Sequence, residues 1–564
     1  MSLSTAPTLV DQLKANRQAA WPYLGIFAVF LLLTVFTRSA FLGDTIFYVS
    51  DINASLACPS LGQCPTVWDA GHLLWRPAGH WLLRPLLPLL SYVVGRNLAM
   101  ATTLLLVSMS SLATLIAALL AYAIIFKETG NLRISLFLSV VFLCANTNLY
   151  GLHSGTSYSS GLACLMAAVW CSQRARHDGM LRYAALAGMW EALAVGFWLP
   201  YIVALPALLL WTLFACLGRR VETGTALLLM TMLAGLALFG LGSYFAGVRS
   251  VAELRAWVGN SGHGMSQTHN LIRAVWGLPR SFLELGQFGV RIKQFLFKDP
   301  YARVSLGELF SQAVWKIIVF YLALLGLVSL GLTDKGKQTL AIFAVALAGD
   351  VLLAAVFEAG SPERYLPIYP FLFLAVAACI VTRQTPRAAR IAVSAVCFLM
   401  IANLISASAI RIHNEEEKAV RRVKPLLPLP PHSLIFVVGD DSVAHLRLNA
   451  PLHEINQANF ETAGLYTPMI RTALWKYDFA SRVLAAWKQG GSIWITTRVR
   501  AMQPRREWNW VEGDDPNIMW RDIVEFFKAF EFSQDPSGED GFTLLPQSVH
   551  NQDQLQLFAN STVN

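Results

Sequence analysis

The sequence predicts an α-helical polytopic membrane protein, with about eleven transmembrane helices followed by a small soluble α/β domain. Hydrophobic residues fill 55% of the 564 positions and charged residues only 14%, where a soluble protein carries roughly a quarter charged. The apolar residues fall in long runs, near the roughly 20 residues that a helix needs to cross the hydrocarbon core. These runs stop near residue 410, and the chain beyond alternates strand-like and helix-like segments.

Residues 1–20 form a polar arm with Lys14 and Arg17. The first apolar run, 21–38, follows that arm and lacks a small-residue cleavage site, so it reads as a retained anchor and not a cleaved signal peptide. Further runs lie at 97–126, 134–150, 157–172, 183–199, 200–217, 224–246, 313–332, 339–357, 365–382 and 391–409. With the N-terminus in the cytoplasm, the short cytoplasmic connections carry Lys127 to Arg133, Arg174 to Arg182, Arg219 with Arg220, Lys335 with Lys337, and Arg383 to Arg390. Each is basic, as the positive-inside rule requires. The net charge of +9 is thereby explained by topology, with no nucleic-acid partner. The expected location is a plasma membrane, the inner membrane in a bacterium.

The bulky polar segments fall on the other, exoplasmic side. They are the loop 39–96, the loop 247–312 and everything from 411 to 564. Within the first loop, Trp81 to Val94 is too broken by proline for a clean span and reads as a helix lying in the interface. Cys58 and Cys64, in Cys-Pro-Ser-Leu-Gly-Gln-Cys, suit a small disulfide in an oxidising compartment; two free thiols are the alternative. The other six cysteines lie in or beside apolar runs and read as small core residues. In the tail, a Pro-rich linker at 425–431 leads to a strand at 434–438 ending in Gly439-Asp440-Asp441. A helix at 479–488, a strand at 492–497 and a helix at 523–530 follow, which predicts the α/β domain.

Ionisable residues near the membrane narrow the chemistry. Asp44 and Asp51 follow the first span, and a spacing of seven stacks both on one face of a helix. A carboxylate there can act as general base toward a hydroxyl; capping or solvation is the alternative. His72, Arg76 and His80 recur at intervals of four, interrupted by Pro77, and would present a cationic face to a phosphate or to lipid headgroups. Glu363-Arg364-Tyr365 opens a late span, where Arg364 can hold a phosphate bidentately or anchor the interface with Tyr365 and Tyr369. His263 and His269 lack a spaced acidic partner, so no metal is expected. No phosphate-binding Gly-rich loop ending in Lys-Ser/Thr is present, so no nucleotide cofactor is called for. Asp440 and Asp441 read as a turn.

In order and sidedness these elements resemble the GT-C superfamily of membrane glycosyltransferases, which take sugars from polyprenyl-phosphate carriers. The elements are Gly43-Asp44 after the first helix, His72-x-x-x-Arg76-Pro77, which is similar to an element of protein O-mannosyltransferase relatives, and Glu363-Arg364-Tyr365-Leu-Pro-Ile-Tyr-Pro. Pro200 and Pro206 inside a Leu-rich run add to the likeness, which covers most of 20–410 and extends to aminoarabinose-transferase-like enzymes. Many relatives carry adjacent acids in the first loop; here they are separated, so either Asp44 or Asp51 fits the base. The resemblance implies an inverting transfer from a polyprenyl-phosphate-linked sugar donor to an envelope acceptor, glycolipid, polysaccharide or protein. Arg364, with Arg76, His72, Tyr365 and Glu363, would then bind the lipid phosphate. The rival is a non-catalytic transporter, flippase or scaffold for envelope assembly; a transporter should show charged or Gly/Pro-broken pairs near the midplane of matching halves, and the sequence offers only weak candidates such as Glu191 and no repeat. The C-terminal domain is expected to meet envelope-assembly proteins.

Overall fold

The computed structural model describes the chain from residue 9 to residue 560. Excepted are 39–43, parts of 59–66, 96, 215–219, 261–272, 286–304, 332–333, 357–358, 383–385, most of 411–422, 439–459, 466–474, 497–524 and 534–541. His263, His269, Asp440 and Asp441 fall outside the described residues.

Each apolar run becomes helix. The first is α1 (Leu9–Phe36). Two helices then fold out of the segment expected to be a loop, α2 (Thr45–Ser55) and α3 (Trp75–Val94). The α3 helix includes the helix expected at 81–94, is not among the helices long and apolar enough to span, and corrects one expectation. It runs unbroken through Pro85 and Pro88, and Pro77 does not interrupt it but sits in its first turn, where a missing N–H leaves no intrahelical bond unmade. Its outer face exposes Trp81, Leu89 and Tyr92, so the helix is apolar toward its surroundings as well as toward the bundle.

Next come α4 (Leu98–Thr129), α5 (Leu132–Leu143), α6 (Asn146–His153), α7 (Tyr158–Asp178), α8 (Leu181–Phe197), α9 (Leu205–Leu213) and α10 (Arg220–Phe245). Gly130 and Gly179, both at positive φ, end α4 and α7, a cost-free use of glycine at a helix C-terminus. The short helices α11 (Val251–Asn260) and α12 (Ala274–Phe282) flank the second long polar segment. The bundle closes with α13 (Trp315–Gly331), α14 (Asp334–Val356), α15 (Tyr369–Thr382) and α16 (Pro386–Ser406).

By length and composition five described helices can cross a bilayer, six if α5 and α6, bent by 61°, count as one span. The remaining runs are helical too but fall short of that test for visible reasons. Helix α7 ends in Arg174, Arg176, His177 and Asp178, α8 has only 17 residues, and prolines split 199–213 into a 3₁₀ turn and α9. These helices pack inside the bundle, where interior faces tolerate polar groups that lipid does not. The core joins α4, α7, α8 and α15, with Phe142 wedged between Tyr369 and Phe373.

The C-terminal domain carries a four-stranded sheet of order β2-β1-β3-β4. Strands β1 (Ser433–Val438), β2 (Phe460–Leu465) and β3 (Ile493–Thr496) are parallel, and β4 (Phe542–Leu545) pairs antiparallel with β3. Helix α17 (Trp475–Lys488) lies between β2 and β3 in sequence and packs Phe479 on Phe436 of β1. The α/β class holds; β2, β4 and the terminal helix α18 (Val549–Asn560) carried too little periodic signal to be anticipated.

Candidate active site

Three pieces of chain meet at the start of α7. The first is the N-terminus of α2, where Asp44 precedes Thr45. Thr45 accepts a hydrogen bond at its hydroxyl from the Gly155 amide at 2.9 Å. The second is the 3₁₀ turn Ala70–His72 leading into α3. Trp75 donates from its indole to the Gly155 carbonyl at 3.0 Å, and His72 Nδ1 lies 2.7 Å from the Ser157 hydroxyl. The third is the connection 154–157 itself. A Cβ at Gly155 would meet Leu106 at 2.6 Å and Thr45 at 2.8 Å, so only glycine lets the connection approach this closely.

Asp44 occupies the cap position of α2, yet its side chain makes no capping bond. Its Oδ2 instead accepts from the Tyr158 hydroxyl at 2.5 Å, with the Tyr48 hydroxyl 3.5 Å away. The capping alternative for Asp44 is thereby removed. Asp51, one further turn pair along α2, points to Arg76, whose Nε lies 2.8 Å from its carboxylate. A second guanidinium nitrogen of Arg76 donates to Asp69 at 2.7 Å, and the guanidinium stacks 4.9 Å from the Tyr48 ring centre. Burial opposes ionisation of Asp69. The His72 and Arg76 charges and the Gly71 amide outweigh it, so its carboxyl titrates below the ordinary value.

The expected cationic face therefore divides. Arg76 is committed to two carboxylates, His72 to Ser157, and His80, fully buried, to the Ser55 hydroxyl at 2.6 Å. Cys58 and Cys64 form a disulfide with Cα atoms 6.2 Å apart, and Cys64 approaches the Ser55 carbonyl at 3.7 Å. The bridge thus ties off the far end of α2.

Arg364 lies in the 3₁₀ segment Pro362–Ile368, buried, with its guanidinium 5.3 Å from the ring centre of Trp198. Trp198 packs edge-on against Tyr158 at 4.9 Å. A continuous path of contacts thus runs Asp44–Tyr158–Trp198–Arg364. Glu363 belongs to the same neighbourhood, because its charge acts on Tyr158. Tyr365 and Tyr369 do not form an exposed aromatic belt. Both are fully buried, donating to the Ala359 carbonyl at 2.8 Å and the Ser281 carbonyl at 2.7 Å.

Several contributors escaped sequence reasoning. Ser157 and Trp198 did so entirely, and Tyr158 could be placed only near an exoplasmic loop, because all three are remote in sequence from the residues they touch. Arg280 of α12 donates to the Gly360 carbonyl at 2.7 Å, and Arg273 packs against Gly360. Both are buried and touch Gly360, four residues before Arg364. Glu191 is wholly buried in α8, and so is Asp350 in α14.

No protein-family model matches the chain, and no curated protein matches its sequence. Among solved structures, ArnT from Cupriavidus metallidurans bound to undecaprenyl phosphate superposes with a TM-score of 0.53. The match covers 94% of this chain and 98% of that one at 10% identity. The apo form of ArnT superposes over the same shares with a TM-score of 0.51 and 10% identity. The chain shares the fold of ArnT. Within this fold, α2, the 3₁₀ turn before α3, the start of α7 and the Pro362–Ile368 segment converge on one end of the bundle. The other end of α7 carries Arg176 and His177 beside Glu128, about 30 Å away by helical rise.

Proposed function

We propose that this chain is an inverting membrane glycosyltransferase that moves a sugar from a polyprenyl-phosphate carrier to an envelope acceptor on the exoplasmic side. The observation that carries the reading is the path Asp44–Tyr158–Trp198–Arg364, which brings a carboxylate and a guanidinium to one end of the bundle without direct contact. The binding of undecaprenyl phosphate by ArnT supports a polyprenyl phosphate as the carrier.

Asp44 is the general base. The acceptor hydroxyl gives its proton to the Asp44 carboxylate while its oxygen bonds to the anomeric carbon. The bond from that carbon to the phosphate oxygen breaks, and its electron pair stays on the phosphate. Arg364 compensates the charge that develops there. Asp51, paired with Arg76, holds α2 against α3 and is not the base. Arg76 is then a structural cation, and the phosphate falls to Arg364 alone among the two arginines anticipated.

The test uses purified protein in proteoliposomes with a panel of undecaprenyl-phosphate-linked sugars, following release of undecaprenyl phosphate. Asp44→Asn keeps the shape and removes the proton acceptor, so release should fall about 10²–10⁴-fold. Arg364→Ala should weaken donor binding. Undiminished release in both variants would replace this reading with the scaffold or transporter.

A further inference from the structure

Asp44 differs from an ordinary surface carboxylate in how its two oxygens are used. Oδ2 accepts the Tyr158 hydroxyl at 2.5 Å, with Tyr48 approaching the same oxygen at 3.5 Å. Oδ1 has no hydrogen-bond partner among the described residues. Tyr158 is itself held on several sides. Its carbonyl accepts from the Tyr201 hydroxyl at 2.7 Å, Trp198 packs edge-on against its ring, and His72 lies 5.9 Å away, centre to centre. A Cβ on Gly161, one turn along α7, would stand 2.2 Å from the Tyr201 ring. The absence of that carbon is what lets Tyr201 reach Tyr158. Such effort spent on one phenol asks for a role.

We infer that Tyr158 is a positioning residue for the base. It pins Oδ2 and turns Oδ1 toward the acceptor hydroxyl, so that the two oxygens of Asp44 have separate duties. The inference rests on the assignment of Asp44 as base. A phenol is far less acidic than a carboxyl, so the shared proton stays on Tyr158. A donated hydrogen bond favours the charged form of a carboxylate, and the loss of that donor is what the test below reads. When the acceptor proton arrives on Oδ1, the bond to Oδ2 weakens, which eases later loss of that proton to water.

The charged and titratable groups around Asp44 are Tyr48 on its own helix, His72 and Asp69 before α3, Arg76 on α3, Tyr158 on α7, and Glu363 acting on Tyr158. All except Tyr158 are unchanged in the comparison that tests the idea. Carboxyls react with dicyclohexylcarbodiimide only when protonated, so the pH dependence of adduct formation at Asp44 reads its titration without any substrate. Adducts are followed by peptide mass spectrometry on the purified full-length protein in detergent, with Asp44→Asn as the zero. In Tyr158→Phe the labelling midpoint should move to higher pH, with about tenfold more adduct at a given pH on the flank. A fluorinated tyrosine at position 158 keeps the shape and donates more strongly, so it should move the midpoint the other way. Equal midpoints in wild type and both variants would overturn the inference. The proteoliposome assay is separate. Loss of release in Asp44→Asn alongside unmoved midpoints removes only the role of Tyr158, whereas release intact in Asp44→Asn removes the base itself.

Discussion

Arg76 lies 2.8 Å from the carboxylate of Asp51, and this pair sorts the two acids of α2 into different roles. Asp51 is satisfied by a cation, while Asp44, seven residues earlier, is met by phenols. Asp51→Asn should therefore lower thermal stability in detergent while leaving transfer within a few-fold of wild type. Arg76→Met should do more. It strands Asp69 and Asp51 together, and loss of one partner from a buried pair costs about 3–5 kcal/mol. The partial exposure of Asp51, 31% of its side chain, brings the expected loss to the lower end. Equal transfer losses in Asp51→Asn and Asp44→Asn would undo this sorting.

Asp69 makes the site acid-sensitive. Its carboxyl titrates below the ordinary aspartate value of 3.8. A depressed carboxyl contributes stability above its unfolded-state value, and that contribution is lost as pH falls through the native value. The melting temperature of the wild type should fall on moving from pH 5 to about pH 3. Asp69→Asn should be less stable at pH 7 and show a shallower fall. An equally steep acid loss in the variant would assign the effect elsewhere.

Gly155 sets the distance between α2 and α7. Gly155→Ala places a carbon against Leu106 and Thr45, including the Leu106 backbone at 3.3 Å. Overpacking of this kind costs about 1–3 kcal/mol. Because Thr45 adjoins Asp44, transfer should fall more than stability alone predicts. Activity measured below the melting onset separates the two effects.

The Cys58–Cys64 bridge closes a short loop at the end of α2. Its removal by Cys58→Ala with Cys64→Ala should cost about 2–3 kcal/mol in the chain-entropy account. Protein isolated with thiols blocked and no reductant should carry no blocked cysteine at 58 or 64. Two blocked thiols there would refute the bond.

The proposed sidedness is open to direct chemistry. A cysteine introduced at Gln556, an exposed position on α18, should react with a membrane-impermeant maleimide in intact spheroplasts. Reaction only after permeabilisation would reverse the orientation.

The bundle was legible because apolar runs near bilayer length admit few other structures, and each run did become helix. The number of spans was less legible. Helices such as α7 and α8 are buried by neighbours and keep polar residues that a lipid-facing span would exclude. In the site, Asp44 stood out because an acid directly after a first span is costly unless used. Arg364 stood out because it opens a span. Their connection was not legible, since Tyr158 meets Asp44 across 114 positions and no periodicity links them. Arg76 misled for a related reason. Its basic neighbours were visible in sequence, but its pairing with Asp51 and Asp69 depends on how α2 packs on α3.

The most direct measurement is the rate of undecaprenyl-phosphate release from its sugar-linked form by wild type, Asp44→Asn and Asp51→Asn in proteoliposomes. The account predicts a loss of about 10²–10⁴-fold in Asp44→Asn and near-normal release in Asp51→Asn once protein amounts are matched. Release at the wild-type rate in Asp44→Asn would contradict it.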